Sequence, residues 1–174
     1  MDIMVNKTTK MIFLSFLTGI ALVIYVLESQ IPVLIPGIKL GLANIISLTA
    51  LILFGWKEAL IIMFLRTFLG SMFSGSMSTF MFSIAGGILS NVVMILLYKF
   101  FKNSLSLWAI SICGAIFHNI GQLLVAAFVI HDLRIYIYLP VLLISAVVTG
   151  YFIGLCTKFL CTRLKNTKVF KNVL

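Results

Sequence analysis

The sequence predicts an all-α polytopic membrane protein, a bundle of six transmembrane helices. Three observations carry that expectation. Of 174 residues, 62% are hydrophobic and 10% charged, where a soluble domain has roughly 45–50% apolar and about 25% charged residues. The mean hydropathy is +1.22. The apolar residues fall in long continuous runs, not in the alternation of a barrel strand, and a helix satisfies its own backbone in lipid. An ordinary soluble domain, a disordered chain and a disulfide scaffold are excluded. Four Asp and Glu in the whole chain leave little material for metal-dependent soluble chemistry.

The spans are placed near 11–30, 40–55, 57–74, 79–99, 105–130 and 136–160, each read as crossing roughly 30 Å of hydrocarbon. Residues 1–174 form a single membrane domain with a basic tail at 161–174. The first span follows Lys7 and Lys10 as a signal peptide would, but no small-residue cleavage site follows, so it is read as an uncleaved helix. Within it Ser15 and Gly19 form a small-xxx-small pair suited to close helix docking, against a partner subunit or a neighbouring span.

The connector Ile31-Pro32-Val33-Leu34-Ile35-Pro36-Gly37-Ile38-Lys39 is apolar, yet its two prolines and its glycine prevent a regular helix. It is either a lid over a cavity or an immersed link. Gly55-Trp56-Lys57-Glu58 joins the second and third spans as a tight hairpin. Ser74-Gly75-Ser76-Met77-Ser78 is a small polar turn before the fourth.

Orientation follows from the basic residues. With both termini cytoplasmic, the inner segments hold Lys7, Lys10, Lys57, Lys99, Lys102, Lys158, Arg163, Lys165, Lys168 and Lys171, and the outer loops only Lys39 and Arg134. That is the positive-inside pattern of a cytoplasmic-membrane protein. The basic tail belongs against anionic headgroups rather than nucleic acid, since its charges adjoin a span. Cys113, Cys156 and Cys161 form no CxxC pair, so neither a disulfide nor a metal site is expected. No internal repeat of 20–50 residues is evident.

The informative residues are the polar ones inside the spans, because an ionisable group in lipid costs several kcal/mol and marks a function by default. Asn44 lies one turn into the second span, Arg66 midway along the third and Asn91 at similar depth in the fourth. His118, Asn119 and Gln122 lie in the fifth. Gly114, His118 and Gln122 share a helix face at i, i+4, i+8, as do Ser83, Gly87 and Asn91, and Arg66, Gly70 and Ser74. These stripes sketch a cavity in the outer half of the bundle, with Arg66 and His118 near its floor and Lys39 entering from the lid. A cationic and amide lining suits an anionic or hydrogen-bonding ligand, and guanidinium matches carboxylate or phosphate. A histidine beside Arg66 also implies pH-sensitive binding. The plainer readings stand beside this one. Arg66 pairs with Glu28, the nearest carboxylate, or with backbone carbonyls, as a fold-locking contact. His118, Asn119 and Gln122 are interhelical glue, as is Asn91, and Asn44 caps a loop. Gly150 and Gly154 of the sixth span are as ambiguous as Ser15 and Gly19.

Several strings carry a resemblance. They are Glu28-Ser29-Gln30-Ile31-Pro32; Lys39-Leu40-Gly41-Leu42-Ala43-Asn44; Arg66 followed by Gly70 and Gly75-Ser76; Phe82-Ser83-Ile84-Ala85-Gly86-Gly87; Gly114-Ala115-Ile116-Phe117-His118-Asn119-Ile120-Gly121-Gln122; and Tyr138-Leu139-Pro140. From about Leu14 to Gly154 the chain resembles heptaprenyl diphosphate synthase component I, also called the Gx transporter family. That family is similar in size and layout to the substrate-binding S-components of energy-coupling factor importers. The likeness implies a six-helix subunit that captures a small solute from outside. It would dock on a transmembrane coupling subunit driven by two ATPases. Ser15 and Gly19 would serve that docking, although the alanine pattern of S-components is not reproduced. The 31–39 segment would be the closing loop. The synthase name implies a membrane partner of a soluble prenyl transferase instead, meeting it through the Lys99–Leu105 turn or the basic tail. The chain cannot run that chemistry alone. It has only Asp2 and Asp132, far apart, no DDxxD cluster, and no GK[ST] phosphate loop.

The expected function is therefore solute capture as an S-component-like importer subunit. The alternative is an accessory subunit of heptaprenyl diphosphate synthesis without transport. Neither needs a cofactor, and neither makes the chain an enzyme by itself. A redox-associated subunit ranks last, for want of a haem-ligand pair or a flavin-attachment motif. The expected site is Lys39, Asn44, Arg66, Asn91, His118, Asn119 and Gln122.

Overall fold

The computed structural model describes residues 7–30, 39–74 and 77–166. Every regular element among them is helical. Helix α1 runs Lys7–Ser29, α2 Asn44–Leu53, α3 Trp56–Ser74, α4 Met77–Phe101, α5 Leu107–Ile130 and α6 Leu139–Asn166, with a 3-10 turn over Leu133–Tyr138 before α6. The 31–38 connector, the Gly75-Ser76 turn and residues 167–174 lie outside the described residues. The tail expected from 161 is helical through Asn166.

The expectation of six spans is corrected. Among the described residues, four helical stretches are long and apolar enough to cross a membrane: Lys7–Ser29, Met77–Phe101, Leu107–Ile130 and Leu133–Asn166. Helix α2 has ten residues, about 15 Å at 1.5 Å per residue, half the hydrocarbon thickness. Helix α3 has nineteen, but Lys57, Glu58 and Arg66 interrupt its apolar run.

Burial explains how α2 is tolerated. Every residue of α2 except Ile52 is buried, so it is an inner helix, packed on α1, α3, α4 and α6. A helix apolar on all sides belongs in such a place. Its ends are local chemistry. Gly41, at φ +82°, turns the chain so that its carbonyl accepts from Asn44 N–H at 2.9 Å. At the far end the Phe54 and Gly55 N–H groups both donate to the Ala50 carbonyl, and Gly55 at φ +113° opens the hairpin into α3. Only glycine enters that region without strain.

Small residues set the tightest contacts. A Cβ on Gly154 would lie 2.4 Å from the Trp108 Cα, and one on Gly150 2.6 Å from the Ile112 Cα. Helices α5 and α6 thus meet backbone to backbone, and the ambiguity over these glycines resolves inside the bundle. Gly70 is filled in the same way by the Tyr25 ring. Gly19 has nothing within 4 Å, so the α1 pair is left free on the surface. Lys10 binds Glu58 at 2.5 Å and ties the starts of α1 and α3.

Polarity is inverted relative to a soluble protein. Phe16, Met72, Phe100, Phe128 and Ile144 are exposed, whereas Asn44, Ser47, Thr49, Arg66, Asn91, His118 and Gln122 are buried. That is the arrangement a membrane solvent requires.

Candidate functional site

Arg66 is 3% exposed, inside the bundle. Its Nη2 donates to Asn44 Oδ1 at 2.6 Å, and Asn44 Nδ2 donates to Ser90 Oγ at 3.4 Å. One chain of hydrogen bonds therefore links α3, α2 and α4. The Arg66 Nε has no hydrogen-bond partner among the described residues. Among the described residues no carboxylate lies within 4 Å of the guanidinium, the ion pair there being Lys10 with Glu58. The Arg66–Glu28 pair weighed from the sequence is thus not formed. Glu28 instead accepts from the Gly41 and Leu42 N–H groups, the latter at 3.2 Å.

His118 on α5 joins this chain through Gly41. A Cβ on Gly41 would sit 3.0 Å from His118 Cδ2 and 3.1 Å from Asn44 Nδ2, so the missing side chain lets the backbone lie on both. On its other side the imidazole packs against Gly86 of α4. Among the described residues its Nε2 has no hydrogen-bond partner. Buried polar atoms are nearly always paired, so unpaired ones concentrated in one region need a functional explanation.

A second layer lies nearer the connector. The Lys39 N–H donates to Gln122 Oε1 at 3.2 Å, and the Lys39 ammonium lies 3.2 Å from the centroid of the Tyr25 ring. Tyr25 OH donates to Ser83 Oγ at 2.9 Å. The described end of the connector is thereby clasped by α1 and α5. Lys39 stands outside the helices, and burial, with the Arg66 cation nearby, pushes its ammonium down to about 8 against the pull of Glu28. Among the described residues Gln122 Nε2 remains unpaired.

The structure thus brings Asn44, Arg66, His118, Gln122 and Lys39 into one connected region. Asn91 is buried nearby on α4, but its Nδ2 is spent on its own helix, at the Gly87 carbonyl 2.9 Å away, and its Oδ1 is unpaired. Asn119 turns the other way. One residue beyond His118 is a rotation of about 100°, and its Nδ2 donates to the Leu142 carbonyl of α6 at 2.8 Å. Its Oδ1 is unpaired.

Sequence reasoning missed Tyr25 and Ser90 and treated Gly41 only as part of a motif. Tyr25 was visible as one of the buried stripe Leu17, Ala21, Tyr25 and Glu28, at helical spacing. Nothing in the sequence distinguished Ser90 from other span serines.

Residues 17–160 match heptaprenyl diphosphate synthase component I. The chain belongs to that family. No curated protein and no solved structure matches it. The match covers all the residues of the polar region, so this component I member carries its buried arginine within the family's own segment.

Proposed function

We propose that this component I chain is a non-catalytic membrane subunit that binds an anionic group with Arg66, Asn44, His118 and Gln122, with Lys39 closing over them. Arg66 carries the reading. A guanidinium has five N–H donors in a planar fork, and among the described residues its hydrogen bond goes to a neutral amide, while the nearby Glu28 carboxylate is not in contact with it and accepts instead from the Gly41 and Leu42 N–H groups. Phosphate and carboxylate oxygens fit such a fork. Asn91 stands at the edge of the proposed set, and Asn119, whose amide is spent on the Leu142 carbonyl of α6, falls outside it.

The family description supports placing this site in heptaprenyl diphosphate synthesis, beside a soluble prenyl transferase. A diphosphate is the kind of anion the guanidinium favours, and the chain's two aspartates cannot supply a magnesium-binding cluster. The second reading is an S-component-like importer subunit, taking a small anion from outside with ATPase partners. Lys39, clasped at the end of the connector, and Gly19, free on α1, favour it. Both readings place the termini in the cytoplasm, at the basic ends of α1, α4 and α6.

Affinity purification from native membranes, with mass spectrometry of retained proteins and small molecules, separates them. A co-purifying prenyl transferase without ATPases supports the first, and ATPases with a transmembrane coupling subunit support the second. Loss of no retained anion on Arg66→Lys or His118→Gln, in folded protein, would sink the site itself.

A further inference from the structure

A second feature lies on the opposite side of α2, and it does not depend on the reading above. Helices α1 and α6 run antiparallel without closing on one another, and α2 floors the gap. The result is an apolar groove of about 600 Å³. Phe13, Ile20 and Ile24 form one wall and Leu164, Phe159 and Leu155 the other, from the helix-terminal end inward. From Phe13 to Ile24 the groove runs about 16 Å along the helix axis, the depth of one leaflet. Arg163 lies one turn beyond the wall residue Phe159 and next to the wall residue Leu164, with its guanidinium 5.2 Å from the centroid of the Phe159 ring. Lys7, Lys10 and Lys165 share that end. Among the described residues, the one carboxylate there, Glu58, is held by Lys10.

We infer that this groove is a binding site for an anionic phospholipid of the adjoining leaflet, with one acyl chain between α1 and α6 and the phosphate at Arg163. The shape selects a chain and the uncompensated charge selects the headgroup. A groove of apolar walls alone takes any lipid. The cation stacked on its wall makes the site discriminate, because arginine binds phosphate oxygens through a charge-assisted fork.

The test is native mass spectrometry of the full chain, delipidated and returned to mixed micelles of phosphatidylglycerol or phosphatidylcholine. Wild type is expected to retain one phosphatidylglycerol, with phosphatidylcholine held roughly tenfold more weakly. Arg163→Gln, an exposed change that leaves the helix intact, should erase that preference. Ile20→Trp, filling the groove, should reduce retention of both lipids. Inorganic phosphate at millimolar concentration should not displace the lipid. Equal retention of the two lipids by wild type, an unchanged preference in Arg163→Gln, or displacement by free phosphate would each overturn the assignment. If Ile20→Trp does not fold, the Arg163→Gln comparison decides alone.

Discussion

Arg66 and Gly41 are the two residues whose environments constrain function most. Among the described residues the buried guanidinium hydrogen-bonds one amide oxygen, and the nearby Glu28 carboxylate is held by backbone N–H groups instead, so an added anion gains charge-assisted bonds to the free donors. Inorganic diphosphate is therefore expected to raise the melting temperature of the purified protein. Arg66→Lys keeps the charge but loses the fork, and should weaken that effect by about tenfold; thermal unfolding across a diphosphate titration measures it. Gly41 sits at φ +82° against His118 and Asn44. Gly41→Ala combines a strained backbone with a methyl group in contact with the imidazole, and should cost about 1–3 kcal/mol, read by denaturant unfolding in detergent. Arg66 and His118 stood out in the sequence because ionisable residues in apolar runs are rare. Their partners did not, because a serine such as Ser90 or a tyrosine such as Tyr25 is ordinary in a span until the fold gives it a neighbour.

At the scale of elements, glycine contacts divide the helices into closed and open faces. Gly154 lies with its Cα facing the Trp108 backbone, whereas Gly19 faces open space. Gly154→Ala must push α6 from α5 and should destabilise by about 1–3 kcal/mol. Gly19→Ala meets nothing and should fall within about 0.5 kcal/mol of wild type or slightly above it. Unfolding of the two variants side by side checks the contrast. The sequence presented both as the same small-xxx-small signal, because spacing does not say which face a neighbour covers. The connector has its own pH signature. With the Lys39 ammonium pushed down to about 8, the proton is lost as pH rises through that value, and the charge facing an anion goes with it. Wild type should therefore bind diphosphate more tightly than Lys39→Met below pH 8 and converge on it above, read as the ratio of the two affinities from pH 6.5 to 9.5 so that the ionisation of diphosphate itself cancels.

For the whole molecule, the inverted polarity and the basic ends define how the bundle sits. On the proposed orientation, in a background with Cys113, Cys156 and Cys161 replaced, Arg134→Cys should react with a membrane-impermeant thiol reagent in intact cells. Lys102→Cys should react only after permeabilisation. The reverse pattern would place the polar region on the cytoplasmic side and exclude capture of a solute from outside.

The sequence by itself determined the class of protein, the family and the residues worth watching. Those depend on composition, on continuous apolar runs and on rare polar intrusions, all of which are local. Tertiary structure decided which of them act together. The 40–55 run reads as a span by hydropathy, yet its helix is ten residues long and buried, because protein rather than lipid surrounds it, and hydropathy does not distinguish the two. Asn119 and His118 are neighbours in sequence and face different helices, while Arg66, Asn44 and Ser90 come from three helices and form one chain of hydrogen bonds. Helical rotation separates adjacent side chains and packing unites distant ones, so only the assembled bundle could tell a site from a list of polar residues.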